Sequence, residues 1–567
     1  MPAPAQARHR ERVGAVLLLA ALLLAAPVAP TQGLRAAEPA PVGLVAAGSP
    51  LVPGAGGPGA AIRITVTLAA PATVDLAIAG WYGRTVATLA AGVPLDAGTH
   101  TWRWAGRDPD GDPVPPGAYQ VRVVATGPDG SVEEGVPIAV ATTPLSVPAP
   151  GAIVVALNPG HGGPDPGAVY GGRTEAEANL AIGRELAAML TASGIRVVVT
   201  RDRDVAVNRP RSDVTGNGTT DHTDELVARN DIANSARADV FVTLMNNAYG
   251  CHCVHGTETY TSRERTWTPE GVRLARLIQA AHLRHLAPFR SRAWRPVDRG
   301  VRFWHFASIR PWQPRLMPRP ALMPSVLVES LFMDHPPELR VLSRPAARSA
   351  LAAAYFEGIA RFLSERTRAA RIEVPAPPTD APAGSAIDVP VRVRNTGTAA
   401  ARGWTLEARI VQADGPYHAR PVRGVLVGSA PVADGLAPGA TTDVLLADLP
   451  LPPGTGDFTL LLDIRDRTSR TVADRGVPRA QWTIRLTGSA PAVAGPGADG
   501  ILRLPQGRAW AAWRASLPRD PLGPAALRPR PMRWRASAPA LRGVRPVDIP
   551  PDSAAGMAGV YGDDHPH

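Results

Sequence analysis

Lysine is missing: the 60 basic residues of this 567-residue chain are all arginine. Alongside abundant Ala, Gly and Pro this reads as a bias of composition, so a net charge of +11 is weak evidence for a nucleic-acid partner. A nucleic-acid binder is expected to cluster its charge and mix Lys with Arg, and an anionic surface polymer fits the sign equally well. Nucleic acid is therefore not expected as a partner. Cysteine is nearly absent too. Cys251 and Cys253 are the only two, which excludes a disulfide framework. Aromatic residues are only 5%, but apolar residues reach 45%, which excludes full disorder. Long hydrophobic runs are confined to one stretch of 14 residues at 13–26, short of the roughly 20 that span a bilayer. Arg8, Arg10 and Arg12 precede it and Pro27 and Pro30 break it, so 1–37 reads as an export signal, with a retained anchor as the alternative. The expected location is the cell envelope, periplasmic or extracellular. An exported chain can oxidise the C-x-C pair.

Gly (55) and Pro (61) are plentiful, which favours short-stranded β modules and linkers. Residues 38–60 read as a linker. Across 61–142, Ile62, Ile64, Val66 and Leu68 alternate, as do Val74, Leu76 and Ile78, then Tyr119, Val121 and Val123, predicting an all-β, sandwich-like module. Asp108, Asp110 and Asp112 read as a hairpin turn in preference to a Ca²⁺ loop. A second linker fills 143–152. Residues 153–365 then alternate strand and helix: strands at 153–157, 195–200, 240–245 and 325–329, helices at 175–193 and 226–236, a third capped by Thr268, and a last one carrying Leu351, Tyr355, Ile359 and Phe362. This predicts an α/β domain with a central sheet. Residues 372–488 return to β alternation (Val389, Val391, Val393; Trp482, Ile484, Leu486), a second sandwich-like module. Residues 489–567 are Ala/Pro/Arg-rich and read as a disordered tail, whose Trp510, Trp513 and Trp534 among arginines are candidates for contact with an anionic wall polymer or membrane.

Four segments of the α/β domain place polar residues at strand ends, where open α/β sheets form their sites. They are Asn158-Pro159-Gly160-His161-Gly162-Gly163; Glu175 at a helix start; Thr243-Leu244-Met245-Asn246-Asn247; and Val326-Leu327-Val328-Glu329. A carboxylate ending an apolar strand, as Glu329 does, is expected to be desolvated and raised in pKa, suited to acid–base work. One His and two carboxylates could build a hydrolytic zinc site. Two insertions also stand out, a polar loop at 203–224 and an Arg/Trp/Pro-rich loop at 287–320 with Trp294, Trp304 and Trp312. His305 and His335 read as surface or loop residues.

The ordered blocks "NPGHGGPDPGAVYGG…EAEANLAI…VVVTRDRD…ARNDIAN…ADVFVTLMNN…GTETY…RG…PSVLVESLF" resemble the zinc-dependent N-acetylmuramoyl-L-alanine amidases of the AmiC-like type. The segment 61–142 resembles the Ig-like module of flagellar-hook capping proteins. The first resemblance implies a peptidoglycan partner, a zinc cofactor, His161 and Glu175 as metal ligands, Glu329 as the catalytic carboxylate, and Arg299 as an arginine that orients substrate. It also exposes a departure: the third ligand position, a His in the family, is Met245, and a thioether is a poor zinc ligand. Three readings stay open. Cys251, His252, Cys253 and His255 are candidate replacement ligands; the domain works with a weakened metal; or the fold persists without catalysis as a wall-binding or regulatory scaffold.

Overall fold

The computed structural model describes residues 42–55, 59–145, 147–265, 267–313, 316–412, 424–468, 471, 473, 477, 479–488 and 508–518. The export signal read at 1–37 and Trp534 lie outside the described residues.

The α/β domain runs β1 (Val154–Pro159), α1 (Glu175–Ala192), β2 (Arg196–Val199), α2 (His222–Ser235), β3 (Val240–Asn247), β4 (Thr257–Thr261), α3 (Thr268–Leu286), β5 (Asp298–Phe303), β6 (Ser325–Phe332), α4 (Pro336–Leu342) and α5 (Pro345–Ser364). The six-stranded sheet has the order β2-β1-β3-β6-β4-β5. The first four strands are mutually parallel, and β4 and β5, parallel to each other, run against β6. Every residue of β1, β3 and β6 is buried, as expected for strands covered on both faces. Val155, Leu157, Val242, Leu244, Val326 and Val328 join one hydrophobic cluster with residues of α1, α3 and α5. Val154, Ala156 and Phe241 join Ala233 of α2 in another. This period of two is what lets a short apolar run serve two layers at once.

Helix starts follow local chemistry. Thr174 and Glu177 form a reciprocal capping box at α1, and Asp221 and Asp224 form one at α2. The second box begins α2 four residues before the sequence expectation of 226. Thr268 does not cap α3; it is the first helical residue, and its hydroxyl donates to the Arg265 carbonyl at 2.7 Å. β4 and β5 were absent from the sequence expectation. The threonines of β4 pack inward, with Thr257 donating to the Ser330 carbonyl and Thr259 to Gln279 Oε1, so polarity hid a buried strand.

N-terminal to this domain, a three-stranded and a four-stranded sheet share one hydrophobic cluster that contains Ile62, Ile64, Val66, Leu76, Val121 and Val123. The strand Val42–Ala47 pairs along this module's edge, although its composition suggested linker. The module rests on α1: Ala118 N–H donates to Glu185 at 3.3 Å, and burial pushes that carboxyl up to about 7. C-terminal to the α/β domain, sheets of three and five strands share another cluster. The tail expectation needs correction at Arg508–Ser516, which forms a helix, α6. Its Trp510 and Trp513 are buried in that last cluster, and Trp513 Nε1 donates to the Pro450 carbonyl at 3.1 Å. Apolar burial outweighs the arginines beside them, and neither indole faces outward. No described helix is long and apolar enough to cross a membrane.

Candidate active site

The topology gathers the polar strand ends. β1, β3 and β6 deliver their C-terminal ends to one edge of the sheet. β4 and β5, running the other way, deliver their starts to the same edge.

His161 follows β1 in a left-handed conformation, φ +60°, uncommon for a residue with a Cβ. Two buried guanidiniums hold the turn by its carbonyls. Arg201 donates to Pro159 O (2.9 Å) and Gly160 O (2.7 Å). Arg229 donates to Asn158 Oδ1 (2.8 Å) and to His161 O (2.9 Å). The imidazole is 2% exposed and lies between two carboxylates, with Nδ1 2.8 Å from Asp165 and Nε2 3.0 Å from Glu175. Burial opposes its protonation, but the Glu175 charge and the hydrogen bonds to Asp165 and Glu175 outweigh burial and push its pKa up to about 10. Glu175, the first residue of α1, is buried, which alone would raise its pKa; His161, the Asn246 N–H and Asn179 hold it below the usual range instead. Gly167 closes over the pair at φ +64°, where a Cβ would lie 2.6 Å from the imidazole and 2.7 Å from the Glu175 carboxylate.

Met245 occupies the end of β3, in register with Glu329 on β6. Its sulfur lies 3.6 Å from Asn179 Nδ2. A Cβ on Gly160 would fall 1.9 Å from that sulfur, so only glycine fits there. Glu329 is 5% exposed, and its Oε2 has no hydrogen-bond partner among the described residues. Burial first, then the charges of Glu175 and Glu258, raise its pKa well above the usual carboxylate range.

Glu258, at the start of β4, pairs in register with Glu329. It accepts from Asn247 (2.9 Å), Tyr260 OH (3.0 Å) and Arg299 Nε (2.8 Å), and Arg302 stands 3.2 Å away. Arg299, assigned to substrate by resemblance, thus has a partner within the fold. Sequence reasoning missed Asp165, Asn179 and Glu258. The first two carried a signal, since Asp165 lies four residues beyond His161 and Asn179 one helical turn beyond Glu175.

The donor set can be tested against the implied zinc. His161 Nε2 and Glu175 Oε2 converge, but the third position offers a thioether. The candidate replacement ligands are engaged elsewhere. Cys251 and Cys253 form a disulfide, so neither supplies a thiolate. His252 Nδ1 meets Asp334 at 3.1 Å. His255 meets the Cys253 carbonyl and stacks on His335, ring centroids 4.6 Å apart. Among the described residues no three His, Cys, Asp or Glu side chains gather as a metal cage. Two donors and a soft sulfur do not fit the three-ligand catalytic zinc centre.

Residues 155–361 match the family of N-acetylmuramoyl-L-alanine amidases, and residues 52–129 match the FlgD Ig-like domain. The chain is 25% identical over 227 residues to the germination-specific N-acetylmuramoyl-L-alanine amidase of Bacillus subtilis (strain 168), covering 39% of this chain and 84% of that protein. It is 26% identical over 238 residues to the N-acetylmuramoyl-L-alanine amidase AmiC of Neisseria meningitidis, covering 37% of this chain and 53% of that one. Among solved structures, AmiC2 of Nostoc punctiforme is 26% identical, with coverage of 38% of this chain and 99% of that one and a TM-score of 0.30. The chain therefore carries an N-acetylmuramoyl-L-alanine amidase family domain at 155–361, with a FlgD Ig-like domain N-terminal to it.

Proposed function

We propose that this chain is an exported cell-wall hydrolase of limited turnover, which cleaves the amide between N-acetylmuramic acid and L-alanine of peptidoglycan. The observation that carries the reading is the convergence of His161, Glu175 and Glu329 at one sheet edge inside the family-matched segment. Glu329 is the group suited to move the proton. Burial and the neighbouring charges of Glu175 and Glu258 push this carboxyl toward its protonated form, the form that donates to the leaving amine nitrogen. Acting instead as base toward an attacking water requires ionisation, which positive charge brought into the pocket would favour. Glu258, fully partnered, fixes the neighbouring strand. The residues present do not fit zinc as a three-ligand centre, so no step is routed through it.

Met245 favours a second reading, in which the amidase fold is kept for peptidoglycan recognition or regulation. One experiment separates them: amine release from purified peptidoglycan by the full chain, with and without chelator. The first reading expects measurable release, lowered about 10²–10⁴-fold in Glu329→Gln, and raised in Met245→His supplied with zinc. A folded protein that sediments with peptidoglycan, yet releases no amine under any metal, would establish the second.

A further inference from the structure

The insertion between β2 and α2 carries a pattern that the site above does not use. Asp213, Thr215, Asn217, Thr219, Asp221 and Asp224 fall at positions 1, 3, 5, 7, 9 and 12 of a twelve-residue run, with Gly218 at position 6. In EF-hand-type loops those positions supply oxygens to Ca²⁺, position 7 through its carbonyl, and position 6 is a glycine that makes the sharp turn. The run departs from that pattern in having Thr at position 3 and Asp, not Glu, at position 12.

The fold agrees with the register. Gly218 sits at φ +89°, and α2 begins at His222, position 10, so the loop runs directly into a helix. The Asp213 carboxylate accepts from the N–H groups of Gly216 (2.6 Å), Asn217 (3.1 Å) and Gly218 (2.7 Å). These donors, that of Gly218 foremost, hold Asp213 below the usual carboxylate range. Asp224 reaches back to the Thr215 and Asp221 N–H groups at 2.7 and 2.9 Å.

A separate observation points to a cation. Asp224 is 0% exposed. Among the described residues neither it nor Asp213 or Asp221 has a cationic partner: Arg229 pairs with Glu225, and Arg319 with Asp231. A buried carboxylate is normally neutralised by a paired charge or a metal.

We propose that residues 213–224 form a Ca²⁺ site: the Asp213, Asp221 and Asp224 carboxylates, which without the ion rest on backbone N–H groups and do not gather as a cage, turn onto it together with side-chain oxygens of Thr215 and Asn217 and the carbonyl of Thr219. An all-oxygen set at the twelve-residue Ca²⁺-loop spacing suits Ca²⁺ better than Mg²⁺, which keeps several waters and is rarely held by an all-protein cage, and it offers no nitrogen or sulfur to a transition metal. The site has a structural consequence. Glu225, the next residue, accepts from the Val207 and Asn208 N–H groups, and Arg229, one turn further, holds the His161 turn. Calcium at the entry to α2 stiffens the helix on which that turn depends. This inference does not rest on the amidase reading.

The test is calorimetric titration of the chelator-stripped full chain with CaCl2, beside a thermal melt with and without saturating Ca²⁺. We expect one saturable site per chain with Kd in the range of about 0.1–1 mM, typical of extracellular modules, and a melting midpoint raised by about 2–4 °C. Asp213→Asn and Asp224→Asn should each weaken binding at least about tenfold, while Asp108→Asn, in the N-terminal module, leaves it unchanged. Because Asp224 is buried, Asp213→Asn is the decisive variant, its fold checked by circular dichroism. Absence of saturable binding in the wild type, or unchanged affinity in a folded Asp213→Asn protein, would overturn the proposal.

Discussion

Two loops leave the same sheet edge, and each sets a histidine in the left-handed region: His161 at φ +60° after β1, and His252 at φ +56° after β3. The first is gripped by Arg201 and Arg229 and keeps its imidazole 2% exposed between two carboxylates. The second belongs to a short disulfide loop, its side chain 55% exposed against Asp334. The same backbone conformation thus serves two purposes. In one loop it aims a buried imidazole at Glu175; in the other it turns a surface histidine toward a single carboxylate. What separates them is the guanidinium scaffold under the first, which satisfies carbonyls that would otherwise be stranded inside.

The sharpest way to break this contrast is Arg229→Ala. It strips the His161 turn of its support and leaves Glu225 and three backbone or amide oxygens short of a donor, and should cost about 3–5 kcal/mol. Urea unfolding of the variant beside wild type checks this, and a loss under about 1 kcal/mol would show that Arg201 suffices alone. Next in size is the double change Cys251→Ser and Cys253→Ser. So short a loop constrains the unfolded chain little, and about 1–2 kcal/mol is expected. Thermal melts under oxidising and reducing conditions would read it, and a larger loss would mean that the second loop is as much a scaffold as the first.

The third contrast is in pH. His161 has its pKa raised to about 10, so the stability that it contributes is present in full below its unfolded value of about 6.5 and is lost as pH rises through about 10. His335, beneath the second loop, is shifted the other way by burial and by His255, so its contribution is lost as pH falls below about 6.5. Histidine NMR titrations should therefore move apart, one resonance titrating well above pH 7 and the other below 6.5. Coincident titrations would erase the distinction between the loops.

A second pair makes the same point with carboxylates. Glu258 and Glu329 are register partners on neighbouring strands, both buried. Glu258 is surrounded by donors from Asn247, Tyr260 and Arg299, while Glu329 keeps one oxygen without a partner among the described residues. A satisfied buried carboxylate stabilises the sheet; an unsatisfied one holds free energy available for chemistry. Glu329 was legible in the sequence because it ends an apolar strand. Glu258 was not, because its strand is rich in threonine and its neighbour lies some seventy residues away. Met245 was legible as a departure, but its contact with Asn179 was not. Trp510 and Trp513 misled for the opposite reason: the arginines around them signalled solvent, and only the cluster beneath α6 explains their burial.

By itself the sequence determined the apolar blocks that become β1, β3 and β6 and the polar residues that end them, since a fully buried strand needs a continuous apolar run and turns need glycine. It also determined the twelve-residue spacing at 213–224, which is local. Only the tertiary structure decided which acid faces which. The reversal of β4 against β6 sets Glu258 beside Glu329, and the guanidiniums of Arg201 and Arg229 set His161 against Glu175. Those pairings depend on register and packing between distant segments, and they determine which buried charges are neutralised and which are left to react.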